Sequence, residues 1–202
     1  MAYVIKPRKN SVKLALPITA TLKDGRTTLE LDYIKEEEHE VVRAMLNEVI
    51  EEGMTYPQRE VLDPQEFREY FLKADAFVAR LVEGEGESPY EVVGTFYIKP
   101  NFPGRCDHIC NGGFIVKPAH RQLGIGRVMA EHFLDFARRL GYRAAMFNLV
   151  FATNLPSLRL WRSLGFKEIG TVPRAGELAN GRFVDAHQFY YDLAGATENN
   201  AH

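Results

Sequence analysis

From residue 116 to residue 127 the chain reads Val116-Lys117-Pro118-Ala119-His120-Arg121-Gln122-Leu123-Gly124-Ile125-Gly126-Arg127. A β-rich run is broken by a proline, and two glycines then open a helical repeat. Glycine lets the backbone turn its N–H groups toward one point and admits a ligand close to the main chain. A helix N-terminus adds partial positive charge at that point. Together these features suit a pyrophosphate, with Arg121 and Arg127 placed to reinforce it. A glycine-rich start to a surface helix, without a ligand, is the competing reading of so short a motif. No Gly-Lys-Ser/Thr follows, so this is not the nucleoside-triphosphate loop. Met129 stands where a dinucleotide fingerprint needs its third glycine, and the acidic residue of that fingerprint is missing from the next strand end.

Asn111 and Asn148 each interrupt an apolar or glycine-rich run that reads as a strand, where asparagine is disfavoured. A buried amide without hydrogen bonds costs about 1–3 kcal/mol. Each therefore either satisfies a neighbouring loop or serves a ligand. An amide can accept an N–H but has no pKa near neutrality, so neither asparagine can act as a base. Cys106 and Cys110 bracket His108, but a structural zinc needs four ligands and no second pair exists, so no metal is expected. Asp107 and His108 read as the solvated start of a strand. Glu52, Met54, Thr55 and Tyr56 either wall a site or simply end a helix.

The elements that must hold these residues follow from periodicity. Runs at 18–22 and 27–34 predict a hairpin closed by Asp24-Gly25. Apolar residues at helical spacing predict a helix over 36–52, stopped by Gly53. Asp63-Pro64 predicts an N-cap and a second helix to about residue 73. Strands are predicted over 76–82 and 91–99, separated by a solvent-exposed acidic loop at 83–89, with a third strand over 109–116. A helix over 124–140 is followed by the apolar run 144–151, which reads as a strand in parallel pairing. A short helix at 157–164 and strands at 166–172 and 183–193 complete the chain.

The length of 202 residues suits one buried domain, and a formal net charge of -2 gives no general attraction to nucleic acid. No apolar run approaches the roughly 20 residues needed to cross a bilayer, and residues 1–7 do not read as a secretory signal. With only Cys106 and Cys110, a reduced, cytoplasmic protein is expected. The domain is expected over 18–195, after an N-terminal arm at 1–17 and before a disordered tail at 196–202.

Arg121-Gln122-Leu123-Gly124-Ile125-Gly126 resembles the Arg/Gln-x-x-Gly-x-Gly/Ala signature of the GCN5-related N-acetyltransferases (GNAT). A second signature follows the next strand, in Asn154-Leu155-Pro156-Ser157-Leu158-Arg159-Leu160-Trp161-Arg162-Ser163-Leu164-Gly165-Phe166. The resemblance implies an α/β (α+β) fold: a mixed, mostly antiparallel sheet with a central splayed parallel strand pair and flanking helices. It implies acetyl-CoA as co-substrate, an amine as acceptor (here a small-molecule amine) and a homodimer, while charge, hydropathy and ligand count leave no nucleic-acid partner, no membrane partner and no metal expected. The backbone of Ile115 and Val116 would pair with the pantetheine arm. The amides of Gln122, Leu123, Gly124, Ile125 and Gly126 would hold the pyrophosphate, with Arg121 and Arg127 beside them. Asn154 would bind the pantetheine amide region.

A narrower resemblance is to fungal N-acetyltransferases of proline analogues such as L-azetidine-2-carboxylate. It is carried by Leu16-Pro17-Ile18, Lys23-Asp24-Gly25, the run from Asn47 to Pro57, Cys110-Asn111-Gly112-Gly113-Phe114-Ile115-Val116, and the run from Phe147 to Asn154. It implies that Asn111 orients the acceptor amine and that Asn148, with the backbone of Leu149, holds its carboxylate, with Tyr56 in the wall of the acceptor site. The chain departs from the wider family in two places. No glutamate occurs from Ile109 to Val116 to act as base, and Trp161 replaces the usual tyrosine acid. Transfer to another amine (a drug, a polyamine or a protein terminus) and an idle acyl-CoA-binding module therefore stay open at this point.

Overall fold

The computed structural model describes residues 12–73, 75–82 and 90–195. The expected loop at 83–89, the tail at 196–202 and most of the N-terminal arm lie outside them.

Asp24 shapes the first hairpin, between β1 (Ile18–Thr21) and β2 (Thr28–Tyr33). Its carboxylate accepts from the amides of Arg26 and Thr27, at 3.0 and 2.9 Å, and Gly25 takes φ +69°. Helix α1 (His39–Glu52) buries Val42, Met45, Leu46, Val49 and Ile50, each worth about 1.5–3 kcal/mol. Gly53 ends it at φ +60°, and a Cβ there would stand 2.7 Å from the Ala179 Cβ. Helix α2 (Pro64–Phe67) opens on Asp63, whose side chain accepts from the amides of Gln65 and Glu66 while the Glu66 carboxylate accepts from the Asp63 amide. The helix then widens into a π turn at Arg68–Leu72.

The remaining elements are β3 (Asp75–Val82), β4 (Tyr90–Pro100), β5 (Ile109–Asn111), β6 (Phe114–Val116), α3 (Ile125–Arg139), β7 (Ala144–Phe151), α4 (Leu155–Ser163), β8 (Lys167–Glu177) and β9 (Phe183–Asp192). The sheet order is β1-β2-β3-β4-β5-β7-β9-β8, with β6 also on β4. Helix α3 covers one face with Met129, Phe133 and Phe136, in a core shared with Phe77 and Phe96. Helix α1 and the α2 turn cover the other, over Val78, Tyr97 and Ile115. The Arg80 guanidinium, 1% exposed, bonds Glu30 and Asp32 of β2 and Glu38 just before α1, which fixes where α1 begins.

The structure departs from expectation in four places. Residues 109–116 are two strands: Gly112-Gly113 separates β5 from β6, although both keep one register with β4. Both glycines are required by close approach. A Cβ on Gly112 would stand 2.6 Å from the Phe133 ring, and one on Gly113 would stand 2.6 Å from the Tyr56 hydroxyl. Strand β8 runs to Glu177, five residues past its expected end, while β7 makes the expected parallel pairing with β5, at Ile109↔Ala144 and Cys110↔Ala145, and pairs antiparallel with its other neighbour, β9. Helix α4 starts two residues earlier than expected, because Asn154 accepts from the Ser157 amide and Pro156 is tolerated in a first helical turn. Finally, Leu14, in the expected arm, is packed into the core.

Candidate active site

The short parallel pairing creates a cleft. Among the described residues, past Ala145, β7 has β9 as its only strand partner, and β6 has only β4. No pairing joins β6 to β7 among the described residues, so the edge of β6 turned away from β4 borders the cleft, with the Val116 carbonyl accepting from the Arg121 Nε at 3.4 Å. Under this cleft runs a groove of about 730 Å³, lined among others by Ile115, Val116, Arg121, Gln122, Gly126 and Asn154.

The groove meets the glycine turn. Gln122 and Gly124 take left-handed φ values of +71° and +93°, and helix α3 begins immediately after. Among the described residues the amides from Gln122 to Gly126 donate no hydrogen bond to protein. They are the orphan donors of a helix start, extended backward by the turn. A Cβ on Gly126 would meet only the Val116 Cγ2 at 3.8 Å, so space is open there. Arg121 lies along the groove, bonded to Glu52 at 3.3 Å. Arg127 is turned away, toward Glu131 and Ser163. The Leu123 side chain is exposed and that of Ile125 is in the core, so only their backbone could serve a ligand.

A second cavity, of about 240 Å³, adjoins the groove through Thr55, Phe114, Asn154, Ser157 and Trp161. Asn111, Asn148, Leu149, Tyr56, Tyr70 and Tyr97 line it, and among the described residues no aspartate or glutamate does. Its floor is an amide network. Asn101 and Asn148 exchange two bonds, at 2.9 and 2.6 Å, and the Asn111 amide donates to the Asn101 oxygen at 3.2 Å. The Asn111 side-chain oxygen accepts no bond among the described residues and stands open as an acceptor. Asn101 gave no sequence signal beyond being a polar residue after Pro100, since its partner lies 47 residues away.

Lys99, also unremarked in the sequence, is the direct cross-strand neighbour of Asn111. Its ammonium sits 4.2 and 4.3 Å from the Tyr70 and Tyr97 ring centres and donates to the Tyr70 carbonyl at 3.3 Å. Burial lowers its pKa to about 8. The Tyr56 hydroxyl is buried without a hydrogen-bond partner among the described residues, and burial, then Tyr70, raises its pKa well above the usual phenol range. It is therefore a donor and not a base. Trp161 forms the shared wall, packed at a tilt against Phe114, Phe147 and Phe166 with ring centres 4.5–5.3 Å apart.

Neither Asp107 nor His108 lines either cavity. Among the described residues no group of three His, Cys, Asp or Glu side chains could hold a metal. Cys110 is buried, and burial pushes its thiol pKa well up, which leaves it inert. No helix among the described residues is long and apolar enough to cross a membrane.

The chain matches the Acetyltransferase (GNAT) family over residues 41–166. It is 41% identical over 169 residues to N-acetyltransferase aca1 of Schizosaccharomyces pombe, covering 78% of this chain and 81% of that protein. The solved structure of a GCN5-related N-acetyltransferase from Kribbella flavida superposes with a TM-score of 0.74 at 29% identity, over 81% of this chain and 97% of the other. A phosphinothricin acetyltransferase from Sinorhizobium meliloti, solved in complex with AcCoA, shares the fold, with a TM-score of 0.73 at 18% identity over 84% and 91% of the two chains. The chain belongs to the GNAT family and is an acetyl-CoA-dependent N-acetyltransferase.

Proposed function

We propose that the protein transfers the acetyl group of acetyl-CoA directly to the amine of a small amino or imino acid, of the class of L-azetidine-2-carboxylate and proline. The carrying observation is the acceptor cavity: small, lined by Asn111 and Asn148, which Asn101 ties together from behind, and by no carboxylate among the described residues. A polyamine would need acidic partners, and a protein terminus would need an open trough.

The residues of the larger groove fit acetyl-CoA. The free edge of β6 can pair with the pantetheine arm, Asn154 has donors left at the junction of the cavities, and the orphan amides from Gln122 to Gly126 suit the pyrophosphate. Acetyl-CoA supplies an activated acyl carbon whose thiol has a pKa near 8.5, so its departure near neutral pH does not require the acid that Trp161 cannot provide. Asn111 accepts an N–H of the free amine through its open oxygen and aims the nitrogen lone pair. The proton released on attack passes to water, because no base stands at β5. Asn148 spends its oxygen and one N–H on Asn101, leaving its second N–H, with the Leu149 backbone, for the acceptor carboxylate.

Asn148→Ala tests this role. A carboxylate contact is present in ground and transition states alike, so acceptor KM should rise about tenfold with kcat nearly unchanged. Steady-state kinetics with L-azetidine-2-carboxylate checks it; a fall in kcat at constant acceptor KM would reassign Asn148.

A further inference from the structure

Side chains alternate across a strand, and directly paired residues share a face. The register Lys99↔Asn111 therefore sets Lys99, Asn101 and Asn111 on one face of the sheet, the face that carries the acceptor cavity. Lys99 is the cation of this row. Among the described residues it has no carboxylate partner; it rests on two tyrosine rings and one carbonyl. The titratable groups around it are the phenols of Tyr70, Tyr97 and Tyr56. Asp75 on β3 pairs with Ile98 and so lies on the opposite face. A half-buried ammonium without a counter-ion is disfavoured unless something anionic completes its surroundings.

We propose that Lys99 is a specificity-determining residue: its ammonium, beside Asn111 on the acceptor face, draws the carboxylate of the acceptor toward Asn148 and selects amino and imino acids over their uncharged amides. This rests on the reading that the acceptor is a small amino or imino acid. Lys99 acts through its field from behind the rings of Tyr70 and Tyr97, toward a cavity that no charged side chain lines among the described residues. Burial places its titration at about 8, so the charge is present below that pH and lost as pH rises through it. A bound carboxylate moves that loss upward.

The test compares wild type, Lys99→Met and Lys99→Arg on L-azetidine-2-carboxylate and on its carboxamide. Lys99→Met should lose about tenfold in kcat/KM on the carboxylate and less than about twofold on the carboxamide, while Lys99→Arg keeps the preference. The ratio of wild-type to Lys99→Met activity on the carboxylate should fall toward one from about pH 7 to about pH 10, as the ammonium deprotonates. That ratio cancels the ionisation of the acceptor's own amine. Equal losses on both probes, or a ratio indifferent to pH, would show a structural role and overturn the proposal. Lys99→Gln carries the same comparison if the methionine variant does not fold. A wild-type enzyme that takes neither probe, yet acetylates polyamines, would instead remove the amino-acid reading.

Discussion

Gly126→Glu should weaken acetyl-CoA binding by about a hundredfold or more, since like charge set against like costs several kcal/mol and each 1.4 kcal/mol is a factor of ten. The fold should survive. A Cβ at Gly126 meets only one methyl group at 3.8 Å, whereas Gly124 holds φ +93° and any substitution there strains the backbone itself. The new carboxylate would occupy the space in front of the amides from Gln122 to Gly126 and oppose a phosphate directly. Calorimetry with acetyl-CoA reads the effect. Unchanged affinity in a folded Gly126→Glu protein would place the cofactor outside this groove.

Asn111→Ala should lower kcat by about a hundredfold while acetyl-CoA still binds as in wild type, because misaiming a nucleophile costs most along the reaction coordinate. Asn111→Asp should also be poor. Its carboxylate would stand in a partly buried cavity, where desolvation raises its pKa, and it would lose the bond that Asn111 donates to Asn101. With no enzymic base, kcat/KM for the acceptor should climb with the free-amine fraction toward the acceptor's own pKa and show no acidic limb from an enzyme group. An acidic limb that vanished in His108→Ala would overturn the Asn111 account and make His108 the base.

What was legible in the sequence was local. The Asp24-Gly25 turn, the Gly53 stop, the Asp63-Pro64 cap and the glycine turn before α3 each depend on residues a few positions apart, and each is where expected. The split of β5 from β6 was not legible, because the need for Gly112 and Gly113 comes from Phe133, Tyr56 and Tyr97, which fold onto them from elsewhere in the chain. The two site asparagines stood out as polar residues in apolar strands, yet the residue that ties them together did not. Asn101 follows a strand end, where asparagine is unexceptional, and only the fold brings it to Asn148. Lys99 was hidden for a similar reason: alternation in a strand makes a lysine look solvated until α1 and the α2 turn cover that face. Arg127 shows the converse. Its spacing suggested a phosphate ligand, but one helical turn carries it to Glu131 and Ser163 instead.

The central claim is that this acetyltransferase acts on small amino or imino acids. Thiol release from acetyl-CoA, measured across a panel of L-azetidine-2-carboxylate, proline, primary amines and polyamines, tests it most directly. The account predicts rapid release with the cyclic imino acids, little with polyamines, and an N-acetylated imino acid as the product by mass spectrometry. Release with primary amines or polyamines, beside none with any proline analogue, would contradict it.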